Sequence, residues 1–216
     1  MTALKRGMIF AVLFAALGAV AAGSSARAQN QSEGESAATS NAPREINITE
    51  DSAPGWLPSL ALEQQALQGV DTYFAALDRE QYQQAYAMLA EINRNAQPLA
   101  QFIQQNRDFH QQSGPAAERR ILKITWTKDS PSAPVPGIYA AVDIVARFAN
   151  IDRYCGFVIL YQRPSAGDFE IMREERNYID NPTAASIEQQ QSRAALDRQW
   201  AAMAAYCPNY KPLSSP

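Results

Sequence analysis

From Ile138 to Phe148 every even position is apolar, namely Ile138, Ala140, Val142, Ile144, Ala146 and Phe148, with Tyr139, Asp143 and Arg147 set between them. Side chains alternate across a strand, so this spacing predicts a strand over 138–148 with one face on a core. Weaker strand patterns surround it: Arg120–Thr127 with Leu122, Ile124 and Trp126 on one face, Tyr154–Gln162, and Phe169 to about Tyr178. In 154–162 both faces are apolar, Cys155, Phe157, Ile159 and Tyr161 on one and Val158 and Leu160 on the other, which is the pattern of a central strand covered on both sides. Pro131, Pro134, Pro136 and Gly137, then Pro164-Ser165-Ala166-Gly167, punctuate the connections. Connections this short make antiparallel neighbours.

Helices precede the strands. Ser59 is a fair N-cap, and Ala66, Val70, Tyr73, Phe74 and Leu77 form one apolar stripe at helical spacing. Asp78 with Gln81 resembles a capping box and predicts a second helix with the stripe Tyr82, Ala85, Tyr86, Leu89. Pro98 suits the first turn of a third, which carries Leu99, Phe102, Ile103 and Phe109 and stops at Gly114-Pro115. After the strands, a last helix is expected from Asn181-Pro182 to Cys207, with Leu196, Trp200, Met203 and Cys207 on one face. The fold class is therefore α+β: three N-terminal helices on an antiparallel sheet of about four strands, followed by a C-terminal helix.

The first 28 residues read differently. Lys5 and Arg6 form a charged start, Met8–Ala22 is an unbroken apolar run, and Ala26-Arg27-Ala28 supplies the small residues of a signal-peptidase site. Cleavage is expected between Ala28 and Gln29. The run is shorter than the roughly 20 residues a spanning helix needs, and no second one follows. The chain is expected to be exported by the general secretory route into the periplasm or medium, with no transmembrane segment after cleavage. Residues 29–58, rich in Ser, Asn, Glu, Ala and Gly, are expected to be a tether, with Trp56 near its end plugging the core. The domain itself spans 59–207, and 208–216 is a tail.

Export gives the two cysteines a meaning. In an oxidising compartment Cys155 and Cys207 allow one pairing, which fastens the last helix to the 154–162 strand. Closing a loop of this length stabilises a fold by about 4 kcal/mol. They are far apart, with no C-x-x-C and one distant His110, so neither a metal site nor redox chemistry is expected.

The 216-residue chain carries 19 Lys and Arg against 22 Asp and Glu. The leader removes Lys5, Arg6 and Arg27 and no acid, which leaves 16 basic residues against 22 acidic, a net charge of −6. That balance argues against nucleic acid, whose phosphates need a basic footprint.

The segment Val70–Asp78, then Tyr82 and Ala85–Leu89, set before a meander of strands, resembles the cone-shaped nuclear-transport-factor-2-like fold, in which the helices pack in the hollow of a curved sheet. Arg107, Gly114, Arg119-Arg120, the stretch Val135–Tyr139 and Phe148 resemble more narrowly a secreted bacterial family known as domain of unknown function 4019. The likeness covers about 67–179. Tyr86 stands where that resemblance would put a tryptophan, and Cys155 and the final helix are additions to it. The resemblance implies a fold and a compartment, and no activity.

Residues that carry chemistry are sparse. His110, the only histidine, becomes a general base only if a carboxylate such as Asp143 orients it. Near a helix C-terminus it reads more simply as a helix-end residue, and Asp143 reads as the mate of a cross-strand Arg. Tyr73, Tyr86 and Tyr161 are candidate cavity-lining groups, as is Tyr82. Arg119, Arg120, Arg147, Arg153, Arg163, Arg173 and Arg176 recur through the strands, but Glu170, Glu174, Glu175, Asp143 and Asp168 are interspersed, the usual mixture of a solvated face. The reading is a non-catalytic envelope module for a small molecule or a protein partner, with no cofactor. The alternatives are a hydrolase or isomerase working in the cone cavity, and a structural homodimer.

Overall fold

The Ser59 hydroxyl accepts from the Leu62 amide at 3.2 Å and so starts α1, Leu60–Asp78. The structure, a computed structural model, describes residues 46–165, 167–207 and 209–211; the Ala28–Gln29 cleavage point, the leader and the first part of the tether lie outside these residues. Three further helices precede the main strands: α2 Tyr82–Ala87, α3 Glu91–Ala96 and α4 Leu99–Ser113. Four helices thus stand where three were expected. The extra one, α3, buries no residue and so has no apolar stripe to betray it. It is held instead by the Asn93 amide, which donates to the Ile171 and Met172 carbonyls at 3.0 and 2.6 Å.

The sheet runs in the order β1 (Asn47–Ile48), β2 (Ala116–Lys128), β3 (Ile138–Phe148), β4 (Ile151–Gln162) and β5 (Glu170–Asp180). β2 to β5 form the expected antiparallel meander, and β3 has the bounds that its alternation predicts. β1 adds a fifth strand, parallel to β2 through Ile48 beside Trp126, so the sheet is mixed. Ordered chain therefore begins well before residue 58, the expected end of the tether. Trp56 packs edge-on to Trp126 with ring centres 6.3 Å apart, as a plug should.

The inner face carries the main core. Ala66, Val70, Tyr73, Phe74 and Leu77 of α1 meet Trp126, Ala140, Val142, Ile144, Val158, Leu160 and Ile171 of the sheet. The outer face is covered at one end only, by α5 (Asn181–Gln190) and α6 (Arg193–Ala204). The single long C-terminal helix is thus two. Gln191 ends the first, and the Ser192 hydroxyl caps the second by accepting from Ala195 N at 3.1 Å. Cys207 lies in the turn beyond α6 rather than on it, bonded to Cys155 with Cα atoms 6.2 Å apart. Around the bond pack Ile179, Ala184, Leu196 and Trp200. Farther along β4, Phe157 and Ile159 are only half-buried on the outer face, so that strand is not fully covered on both sides.

Candidate functional site

A bulge in β5 builds the site. Leu160 pairs with Ile171 and Ile159 with Arg173, so Met172 is an extra residue and the alternation changes phase there. Ile171 faces the inner core, whereas Ile179 faces outward against α5 and α6. The phase change turns Glu174 and Arg176 inward, opposite Val158 and Gly156. Unbroken alternation from Ile171 would have sent them outward. They are not part of a solvated face: their side chains are 13% and 19% exposed.

Arg176 Nε donates to Glu174 Oε1 at 2.6 Å and Nη2 to Oε2 at 2.8 Å, while Nη2 also donates to Asn106 Oδ1 on α4 at 2.7 Å. The Tyr73 hydroxyl donates to Glu174 Oε2 at 2.8 Å, and the guanidinium lies 4.6 Å from the Phe109 ring centre. Burial opposes the charge on Arg176, but the facing Glu174 outweighs it and holds the guanidinium protonated. Burial, then the Glu174 charge, pushes the Tyr73 and Tyr154 phenols well above their ordinary range, so both stay neutral donors.

These groups lie at a cleft of about 390 Å³, open at its mouth, walled by Phe74, Leu77, Tyr82, Phe109, Phe148 and Tyr154. Tyr154 is 5% exposed, and its hydroxyl has no hydrogen-bond partner among the described residues. Gly156 makes room here: a Cβ on it would stand 2.4 Å from the Glu175 carbonyl and 3.0 Å from the Tyr154 oxygen. At the rim Arg119 forms a two-pronged bridge to Asp78 at 2.8 and 3.0 Å while stacking 4.2 Å over Phe74. Asp78 therefore forms no capping box. The N-cap of α2 is Gln81, whose side chain makes no capping bond.

The residues predicted from sequence do not assemble into one site. His110 lines the cleft mouth, 32% exposed, with its nearest carboxylate oxygen on Glu80 at 3.7 Å. Asp143 sits on the outer face of β3, 8% exposed, where Asn209 Nδ2 donates to it at 2.6 Å; its mate is this amide, with Lys123 alongside, and not an arginine. His110 and Asp143 thus lie on opposite faces of the sheet and cannot form a dyad. Of the tyrosines, Tyr73 reaches the site through Glu174. Tyr86 donates to the Arg94 and Gln97 carbonyls and pins α3, and Tyr161 donates to the Pro136 carbonyl on the outer face. Among the described residues no group of three or more His, Cys, Asp or Glu is arranged to hold a metal ion, and no helix is long and apolar enough to cross a membrane.

Fold and site define an α+β protein with helices on the inner face of a mixed sheet and a charged, aromatic-walled cleft between them. Residues 69–171 match the family described as "Protein of unknown function (DUF4019)", which supports the family the sequence resembles. Tyr154 and Arg119 fall within that segment; Glu174 and Arg176 lie just beyond it. No curated protein and no solved structure matches the chain.

Proposed function

We propose that this chain is an exported, non-catalytic module that binds a small molecule in the cleft between α1, α4 and the inner face of the sheet. One observation carries the reading. A buried hydroxyl left without a partner costs free energy, about 1–3 kcal/mol, so native proteins rarely keep one away from a functional site. Tyr154 keeps one, in a cleft open to entering molecules. Export is supported by the charged start, apolar run and Ala26-Arg27-Ala28 of the leader and by the Cys155–Cys207 bond. Helices laid on the inner face of an antiparallel meander support a nuclear-transport-factor-2-like architecture. Native mass spectrometry of protein recovered by export tests the reading. A retained small molecule, lost when Phe148→Trp fills the cleft, is the expected result. A bare protein that no small molecule in a broad thermal-shift screen stabilises would overturn it.

Acid–base chemistry in the same cleft, as in a hydrolase or isomerase, has a single observation behind it, the position of His110 at the mouth with Glu80 3.7 Å away. Turnover by wild type that His110→Gln abolishes, with retained-ligand binding intact, would establish it over the binding reading.

A further inference from the structure

The donors of the cleft are not matched by acceptors. Arg176 has five N–H groups, and its Nε and both Nη2 hydrogens are taken by Glu174 and Asn106. Its Nη1 has no protein partner among the described residues, and the side chain lines the cleft. Tyr154 adds a hydroxyl whose burial keeps it protonated. The acceptors nearby are occupied: Glu174 receives Arg176 on one oxygen and both Arg176 and Tyr73 on the other, and both Asp78 oxygens receive Arg119. What remains is a set of donors with no matching acceptor.

The geometry points to a small monocarboxylate with an apolar, preferably aromatic, body as the ligand class, its carboxylate received by Arg176 Nη1 and the Tyr154 hydroxyl. This rests on the cleft being a binding site at all. An acceptor-only head satisfies such donors, whereas an alcohol or amine brings donors of its own that find no acceptor. Charge selects further. Arg119 and Arg176 each already face a carboxylate, so the cleft has no surplus cation to offset a dianion such as phosphate, while a single negative charge gains charge-assisted bonds from the guanidinium. The walls choose the body: Phe74, Leu77, Phe109 and Phe148 offer apolar and aromatic surface and nothing to bond a polar tail.

Titration of the exported, oxidised protein with benzoate, followed by backbone amide shifts, tests the assignment against benzyl alcohol, which has the same ring and a neutral head. Benzoate should shift the amides of Tyr154, Gly156 and Arg176 and bind at least about tenfold more tightly than the alcohol, the effect of one charge-assisted hydrogen bond. Tyr154→Phe should weaken benzoate about tenfold while leaving the melting temperature unchanged or raised, because the hydroxyl has no protein bond to lose. Arg176→Lys keeps the charge facing Glu174, and should weaken benzoate as well. Equal binding of acid and alcohol, or full affinity in Tyr154→Phe, overturns the carboxylate assignment, as does a failure of benzoate, phenylacetate and hexanoate all to bind. Whether the cleft binds anything is read separately, from the mass retained by the exported protein.

Discussion

Arg176 holds Glu174 with two donors at 2.6 and 2.8 Å although the two residues are only two apart on one strand. The pair behaves as a unit, since either charge alone would be stranded in a covered site. Glu174→Gln or Arg176→Met should each cost about 3 kcal/mol, because breaking a buried pair leaves one charge uncompensated. The double variant should cost clearly less than the sum of the two. Urea denaturation of all four proteins measures the coupling.

Two glycines should respond in opposite senses. Gly156→Ala places a methyl 2.4 Å from the Glu175 carbonyl, a backbone atom that cannot step aside, and should destabilise by about 1–3 kcal/mol. Gly69→Ala, inside α1, meets Leu160 and Phe169 at ordinary distances of 3.7 and 3.9 Å and should stabilise by about 0.5–1 kcal/mol through reduced chain entropy. Thermal melts of the two variants should move in opposite directions.

The sequence exposes what packing periodicity controls and hides what single backbone events control. The stripe Ala66, Val70, Tyr73, Phe74 and Leu77 and the alternation over 138–148 are consequences of one-sided burial, and each lies where its spacing puts it. The β5 bulge is different. Ile171 and Ile179 share a parity and so imply one apolar face, yet an extra Met172 puts them on opposite faces and carries Glu174 and Arg176 inside. Nothing in the residue types of 170–180 marks that slip, so the charge pair of the cleft reads as surface. The break at Gln191 was visible in principle, since Ser192 is a competent N-cap, but the apolar spacing of Leu196, Trp200 and Met203 masks it. Tyr154 was assigned to a strand and not to the cavity, because its lack of a partner is a property of three-dimensional surroundings alone.

Acid should reach the β2–β3 loop first. The Asp51 carboxyl accepts from Ser130 and Ser132, and these bonds, chiefly Ser130, hold it down from 3.8 to about 2. A group depressed in the folded state stabilises fully above its unfolded value and loses that contribution as pH falls through the folded one, here between 3.8 and about 2. Asp51→Asn should therefore be less stable than wild type at pH 6 and indistinguishable from it below pH 2. Urea midpoints across that range check it.

Removing the cysteine pair should loosen one region. Cys155→Ala with Cys207→Ala opens a loop with a sequence separation of 52, for a loss of about 4 kcal/mol. Hydrogen exchange should rise most in α5 and α6, which close over the sheet around Ile179, Leu196 and Trp200, and least in α1.

Cys155 follows Tyr154 directly, and the two side chains leave β4 on opposite faces, one to the covalent bond and the other to the cleft. A molecule stretched by its two ends therefore cannot pay out the chain between the cysteines. Force applied beyond Cys207 passes through the sulfur atoms straight into the strand that floors the cleft, leaving α5 and α6 slack, and the measured extension would fall short of the full contour until a reductant is added.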